Sequence, residues 1–153
     1  VKLSSDKGID FKSNNRGNKI HDLMSLIHHY NDITDGVEKA YKKSIITKSE
    51  KSYFIKTVNN LLSNKDIREY YNPKLSSYNE IEILNEHGDI YRLDRVVEFD
   101  KNSVAVIDYK TGEENTNIYK NQIINYKNLL STIYRGKVYG FILYVDLNKA
   151  VKI

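Results

Sequence analysis

The sequence predicts an α/β protein with a central mixed sheet of about four strands, flanked by helices and preceded by a helical portion. Three observations carry that expectation. Apolar residues recur at helical spacing up to residue 62, alternate with period two from 78, and form an unbroken apolar run at 104–107. The order is therefore helices, strands that meander, a further helix and a closing strand. At 153 residues, 40% hydrophobic and 29% charged, the whole chain suits one folded domain.

Residues 1–17 are polar, carry Gly8 and Gly17, and read as a leader of uncertain order. "NKIHDLMSLIHHY" (18–30) predicts a helix capped by Asn18, with Ile20, Leu23, Met24 and Ile27 as its buried stripe. "TDGVEKAYKKSI" opens with an Asp/Thr cap signal and predicts a second, shorter helix. Residues 49–63 predict a third, capped by Ser49, with Tyr53, Phe54, Val58, Leu61 and Leu62 inward. "SNKDIREYYNP" closes this part at Pro73, the sole proline.

From Ser77 the period changes. In "YNEIEIL" Ile81 and Ile83 share one face and Glu80 and Glu82 the other; "NEHGD" turns the chain into a second strand at 90–99. "DKNS" is a tight turn, and "VAVIDYK" (104–110) is apolar on both faces until Asp108, as a central strand of a covered sheet is. A helix over 115–134 is expected to point Ile118, Ile123, Tyr126, Leu130 and Ile133 inward, and 137–147 is the last strand.

Composition narrows the chemistry. With no cysteine there is no disulfide, thiolate metal site, iron–sulfur cluster or cysteine nucleophile. No apolar run approaches the ~20 residues of a membrane span. No signal peptide is visible, so a cytoplasmic location is expected, and the start at Val1 suggests a piece of a longer or processed protein. A net charge of +4 permits a nucleic-acid partner without demanding one.

The chemistry concentrates at the end of "VAVIDYK". Asp108 and Lys110 project to one side, above Val104 and Val106. Two ionised groups there are costly unless a bound cation and a polar substrate compensate their desolvation. The turn at 100–103 sets a register in which paired residue numbers sum to about 203, placing Asp94 opposite about 109 and roughly 5 Å from Asp108. Two carboxylates, one lysine and no thiolate describe a hard-cation site for Mg²⁺, which takes oxygen ligands and retains water. Such an ion activates water and neutralises phosphodiester charge, and Lys110 is placed to position the water or stabilise developing charge.

These residues resemble a family. "RLDRVVEFDKNSVAVIDYKTG" is similar to the PD-(D/E)XK nucleases, specifically the nuclease domains of RecB/AddA type. "GNKIHDLM", with Gly17 and His21, resembles their Gly-x-x-x-His helix; "QIINY", with Gln122 and Tyr126, resembles their Gln-x-x-x-Tyr helix; "NEIEIL" resembles the strand that brings an acid ahead of the metal-binding Asp. The likeness runs from Gly17 to about residue 145. It implies a restriction-endonuclease-like core and a Mg²⁺- or Mn²⁺-dependent deoxyribonuclease, an exonuclease in preference to an endonuclease. It further implies the C-terminal part of a DNA-repair helicase–nuclease, partnered by DNA and by the helicase domain or subunits of a RecBCD/AddAB-like complex. On the resemblance, Asp94, Asp108, the Tyr109 carbonyl and His21 are metal ligands, Lys110 is the catalytic lysine, and Gln122 and Tyr126 shape the site or contact DNA. The AddB-type branch carries an iron–sulfur cluster, which a chain without cysteine does not share.

Plainer readings stand beside these. His21 alone reads as a boundary residue; beside Gly17 and the Asp/Lys pair it reads as a ligand. His28 falls on the face of His21, about 10 Å further along the helix. It and His29 read as surface or boundary residues, and His87 as solvated. Arg92 and Arg95 flank Asp94, and an ion-pair ladder on a half-exposed strand is the alternative; Arg92 is otherwise a DNA contact. Glu80 is either solvated with Glu82 or a carboxylate beside the metal site. Tyr126 could merely pack, and Thr111-Gly112 either ends a strand or lets a DNA backbone approach. Lysines 42, 43, 48, 51 and 56 form a solvated face or a phosphate patch. Tyrosine, with 13 copies, either packs or stacks on unpaired bases. Two other functions compete: a non-catalytic DNA-binding or scaffold module on the same fold, and an unrelated α/β protein whose Asp-x-Lys is a structural ion pair.

Overall fold

The computed structural model describes residues 11–153. In order along the chain come α1 (Phe11–Ser25), α2 (Ile33–Lys42), α3 (Lys51–Leu62), β1 (Ser76–Leu84), β2 (Ile90–Asp100), β3 (Ser103–Lys110), α4 (Thr116–Ser131), β4 (Val138–Tyr144) and β5 (Lys149–Lys152). The strands form one mixed sheet in the order β1-β2-β3-β4-β5. Only β3 and β4 pair in parallel, and α4 supplies the crossover that a parallel pair requires. Among the described residues, no helix is long and apolar enough to cross a membrane.

The sheet divides the core in two. Ala105, Ile107 and Tyr109 of β3 face α1–α3 and join Leu23, Met24, Val37, Phe54 and Leu61. Val104 and Val106 face α4 and join Ile123, Tyr126, Leu130 and Ile142. This is why β3 is apolar on both faces.

Several expectations are corrected. The sheet has five strands rather than about four, because residues 145–148 turn and the chain returns as β5. Asn148 adopts φ +46° in that turn and Leu147 is exposed, so 137–147 is not one strand. Residues 11–17 belong to α1 instead of a leader, while 1–10 lie outside the described residues. α1 also stops at Ser25, so His28 is not on its face. Its last turn tightens through Leu26 N–H to Leu23 O and Ile27 N–H to Met24 O, and the Asn79 amide donates to the carbonyls of Ser25 and Ile27. α3 is entered through a 3₁₀ turn whose capping box is Thr47 and Glu50, so Ser49 is not the cap. Tyr53, Ile118 and Ile133 are exposed, at 52%, 66% and 56%; α4 turns inward the narrower stripe Ile123, Tyr126 and Leu130.

One irregularity positions the site. Leu93 and Val96, three residues apart, both bury in the α4-side core, although a regular strand would send them to opposite faces. Opposite them, Asn79 reaches α1 while Ile81 packs on the α4 side. Both strands therefore change face at the level of Glu80 and Asp94, and Glu80 takes φ +53° to do so.

Candidate metal and phosphodiester site

The last paired residues of β2 and β3 are Arg95 and Ile107, one residue out of the expected register, with the shift taken up by a bulge between Glu98 and Asp100. Continued, that register sets Asp94 level with Asp108 rather than with residue 109. Because the ladder ends there, the Tyr109 N–H has no strand partner, and it donates to Asp94 Oδ2 at 2.9 Å. A strand residue sends its N–H and C=O to the same side, so the Tyr109 carbonyl also leaves toward Asp94.

His21 projects from α1 onto the same carboxylate. Its Nδ1 lies 2.9 Å from Gly17 O and its Nε2 3.2 Å from Asp94 Oδ2. The Gly17 carbonyl fixes the Nδ1–H tautomer and leaves Nε2 facing the acid, the arrangement a metal-ligating histidine uses. Without a metal, the hydrogen bond to Asp94 raises the imidazole pKa to about 9, against the opposing effect of burial. Gly17 matters a second way: a Cβ there would stand 3.2 Å from Thr111 Oγ1, so the glycine lets α1 approach the end of β3.

Asp108 is 3% exposed, and burial first, then the charge of Asp94, pushes its pKa up to about 6. Lys110 Nζ lies 2.8 Å from its Oδ2, an ion pair that opposes this rise. Lys110 is held from the other side: Nζ donates to Gln122 Oε1 at 3.3 Å and sits 4.7 Å from the centre of the Tyr119 ring. Gln122 Nε2 donates to Tyr126 Oη at 2.8 Å, and Tyr126 donates to the Arg92 carbonyl at 3.3 Å. α4 thus clamps the lysine and ties it back to β2.

The remaining expected residues lie around this centre. Arg92 pairs with Glu80 at 2.6 Å, not with Asp94. Burial and the nearby Asp94 charge raise the Glu80 pKa. Gly112, at φ +81°, donates its N–H to Asp146 Oδ2 at 2.6 Å, and Asp146 pairs with Arg16. Lys51 pairs with Glu38, so that lysine belongs to a solvated surface pair. His87 is exposed in the β1–β2 turn.

Sequence reasoning missed the supports. Arg95, 1% exposed, donates to the carbonyls of His28 and Tyr70 and to Asn79, and stacks 3.9 Å from the Tyr71 ring centre. Tyr71 in turn bonds the Tyr109 hydroxyl, which fixes the residue whose N–H holds Asp94. Tyr119, one turn before Gln122, carried the helical spacing that could have revealed it.

Among the described residues, no three His, Asp or Glu side chains form a ready-made metal cage. His21 spends Nε2 on Asp94 and Lys110 lies against Asp108. The donor set nevertheless fits Mg²⁺, which is held by one or two carboxylates together with water and substrate oxygens rather than by an all-protein cage. The observation that supports the fit is the Asp108 carboxylate, 3% exposed, whose Oδ2 meets the Lys110 ammonium at 2.8 Å while the charge of Asp94 stands beside it. No protein-family model matches the chain, and no curated protein matches it.

Proposed function

We propose that this chain is a divalent-metal-dependent deoxyribonuclease domain with a restriction-endonuclease-like core of RecB/AddA type, working beside a helicase. The reading rests on one convergence. Asp94 and Asp108 stand at the same level of adjacent strands, His21 reaches the first and Lys110 the second, and Gln122 and Tyr126 hold the lysine. These are the residue types a phosphodiester hydrolase needs, drawn from segments far apart in the chain.

Asp94, Asp108 and the Tyr109 carbonyl are the groups that would hold Mg²⁺ or Mn²⁺, with His21 beside them. Bound there, the ion supplies a Lewis acid and an acidified water. Lys110 supplies a fixed positive charge where negative charge grows on the phosphate. Its ammonium is oriented before substrate arrives, because Gln122 and the Tyr119 ring limit where it swings. Tyr126 holds Gln122 in the orientation that presents its oxygen to the lysine. The raised Asp108 pKa expresses the same design: burial first and the neighbouring Asp94 charge second disfavour the ionised form, and a bound cation would offset both.

The test is cleavage of labelled DNA in Mg²⁺ against EDTA, with wild type and Asp108→Asn. Cleavage that requires Mg²⁺ and falls by about 10²-fold or more in the variant is expected. Cleavage that persists in EDTA, or at full rate in Asp108→Asn, overturns the assignment.

A further inference from the structure

Beside Gln122 and Tyr126 lies a hollow of about 350 Å³ whose other walls are Tyr91 and Asn125. A second hollow of about 450 Å³ has Tyr91 and Asn125 among its own walls and lies between the β1–β2 turn and α4, lined also by Asn85 and Asn128. The two adjoin through these shared walls as a groove, and the smaller is lined by Gln122 and Tyr126, which hold Lys110. Its chemistry differs from that of a phosphate track. Among the described residues no Lys or Arg lines either hollow, Glu86 is the one acidic group and His87 the one imidazole. Its walls are instead two tyrosines, side-chain amides and the leucines Leu129 and Leu84, the latter 64% exposed.

A duplex presents phosphates outward, and binding it requires cations. An unpaired base presents a π-face and a hydrogen-bonding edge. Aromatic and aliphatic side chains take the face, and amides, with both donors and acceptors, take the edge. We propose that this groove is a nucleobase subsite. The base next to the phosphodiester at Lys110 stacks on Tyr91 with its edge toward Asn125, and the following bases pass Asn85 and Asn128. The proposal rests on the nuclease reading for the place of the phosphate, and the groove adds that the bound strand is unpaired there.

The test is fluorescence anisotropy of the intact chain in EDTA, where binding is read without cutting. The probes are a labelled oligothymidine of about 15 nucleotides and a duplex of the same length. The strand is expected to bind at least about tenfold more tightly than the duplex. Tyr91→Ala is expected to weaken strand binding about tenfold, and Tyr91→Phe to preserve it. Asn125→Ala, an exposed helix position that leaves the fold intact, weakens it several-fold. Equal affinity for duplex, no strand binding, or unchanged affinity in both Tyr91→Ala and Asn125→Ala overturns the subsite. The same proteins in Mg²⁺ separate the two claims. A strand bound through Tyr91 but never cut keeps the groove and refutes the nuclease; DNA cut without dependence on Tyr91 or Asn125 does the reverse.

Discussion

His21 Nε2 lies 3.2 Å from Asp94 Oδ2, joining α1 to the point where β2 changes face. The imidazole is held on its other side by the Gly17 carbonyl, so the contact is directed rather than incidental. Its folded pKa, about 9, exceeds the ordinary 6.5, so the folded state binds this proton more tightly than the unfolded one. The stabilisation is complete below about 6.5 and is lost as pH rises through about 9. In EDTA, the melting temperature is expected to fall across that window, and His21→Gln to remove most of the slope. Circular dichroism melts at a series of pH values check this; an unchanged slope in the variant contradicts it.

Asp108 gives the opposite relation between stability and activity. Burial raises its pKa to about 6, so at pH 8 the ionised form weakens the metal-free fold. Asp108→Asn keeps the shape without the charge. It is expected to melt at or above wild type, by up to about 2 kcal/mol, while cleavage collapses. A variant that loses both together indicates a structural carboxylate.

On the proposed reading, divalent metal is expected to stabilise the fold. Mg²⁺ at about 100 times its dissociation constant stabilises by about 2.7 kcal/mol, or roughly 5–10 °C for a chain of this size. EDTA reverses the shift, and Asp108→Ala abolishes it. Calorimetric melts with and without Mg²⁺ measure this directly.

Tyr126 tests the clamp. Its hydroxyl accepts from Gln122 and donates to the Arg92 carbonyl. Tyr126→Phe keeps the ring in the core and releases Gln122. Stability is expected to drop by about 0.5–1.5 kcal/mol, and cleavage by about tenfold with little change in substrate affinity. Steady-state kinetics that show only a raised KM contradict the clamp.

The part of this arrangement legible in the sequence is the part that periodicity carries. The alternation around Ile81 and Ile83, the apolar run into Asp108 and the spacing of Gln122 and Tyr126 are local patterns, and each marks its element. What escaped is long-range. The register of β2 on β3 depends on a bulge that no residue type announces. The change of face resides in the backbone of Glu80. Arg95 reads as a flank of Asp94 on a half-exposed strand, yet it is buried because its guanidinium donates to the carbonyls of His28 and Tyr70. β5 goes unread in the sequence because it is only four residues long and Asp146, Leu147 and Asn148 turn the chain into it without glycine or proline.

Lys110→Ala probes the central claim most directly, because it leaves both carboxylates in place. Phosphodiester cleavage and Mn²⁺ binding are measured on the same preparation, with wild type alongside. The account expects Mn²⁺ binding to survive and the cleavage rate to fall by about 10²-fold or more; cleavage at the wild-type rate in Lys110→Ala contradicts it.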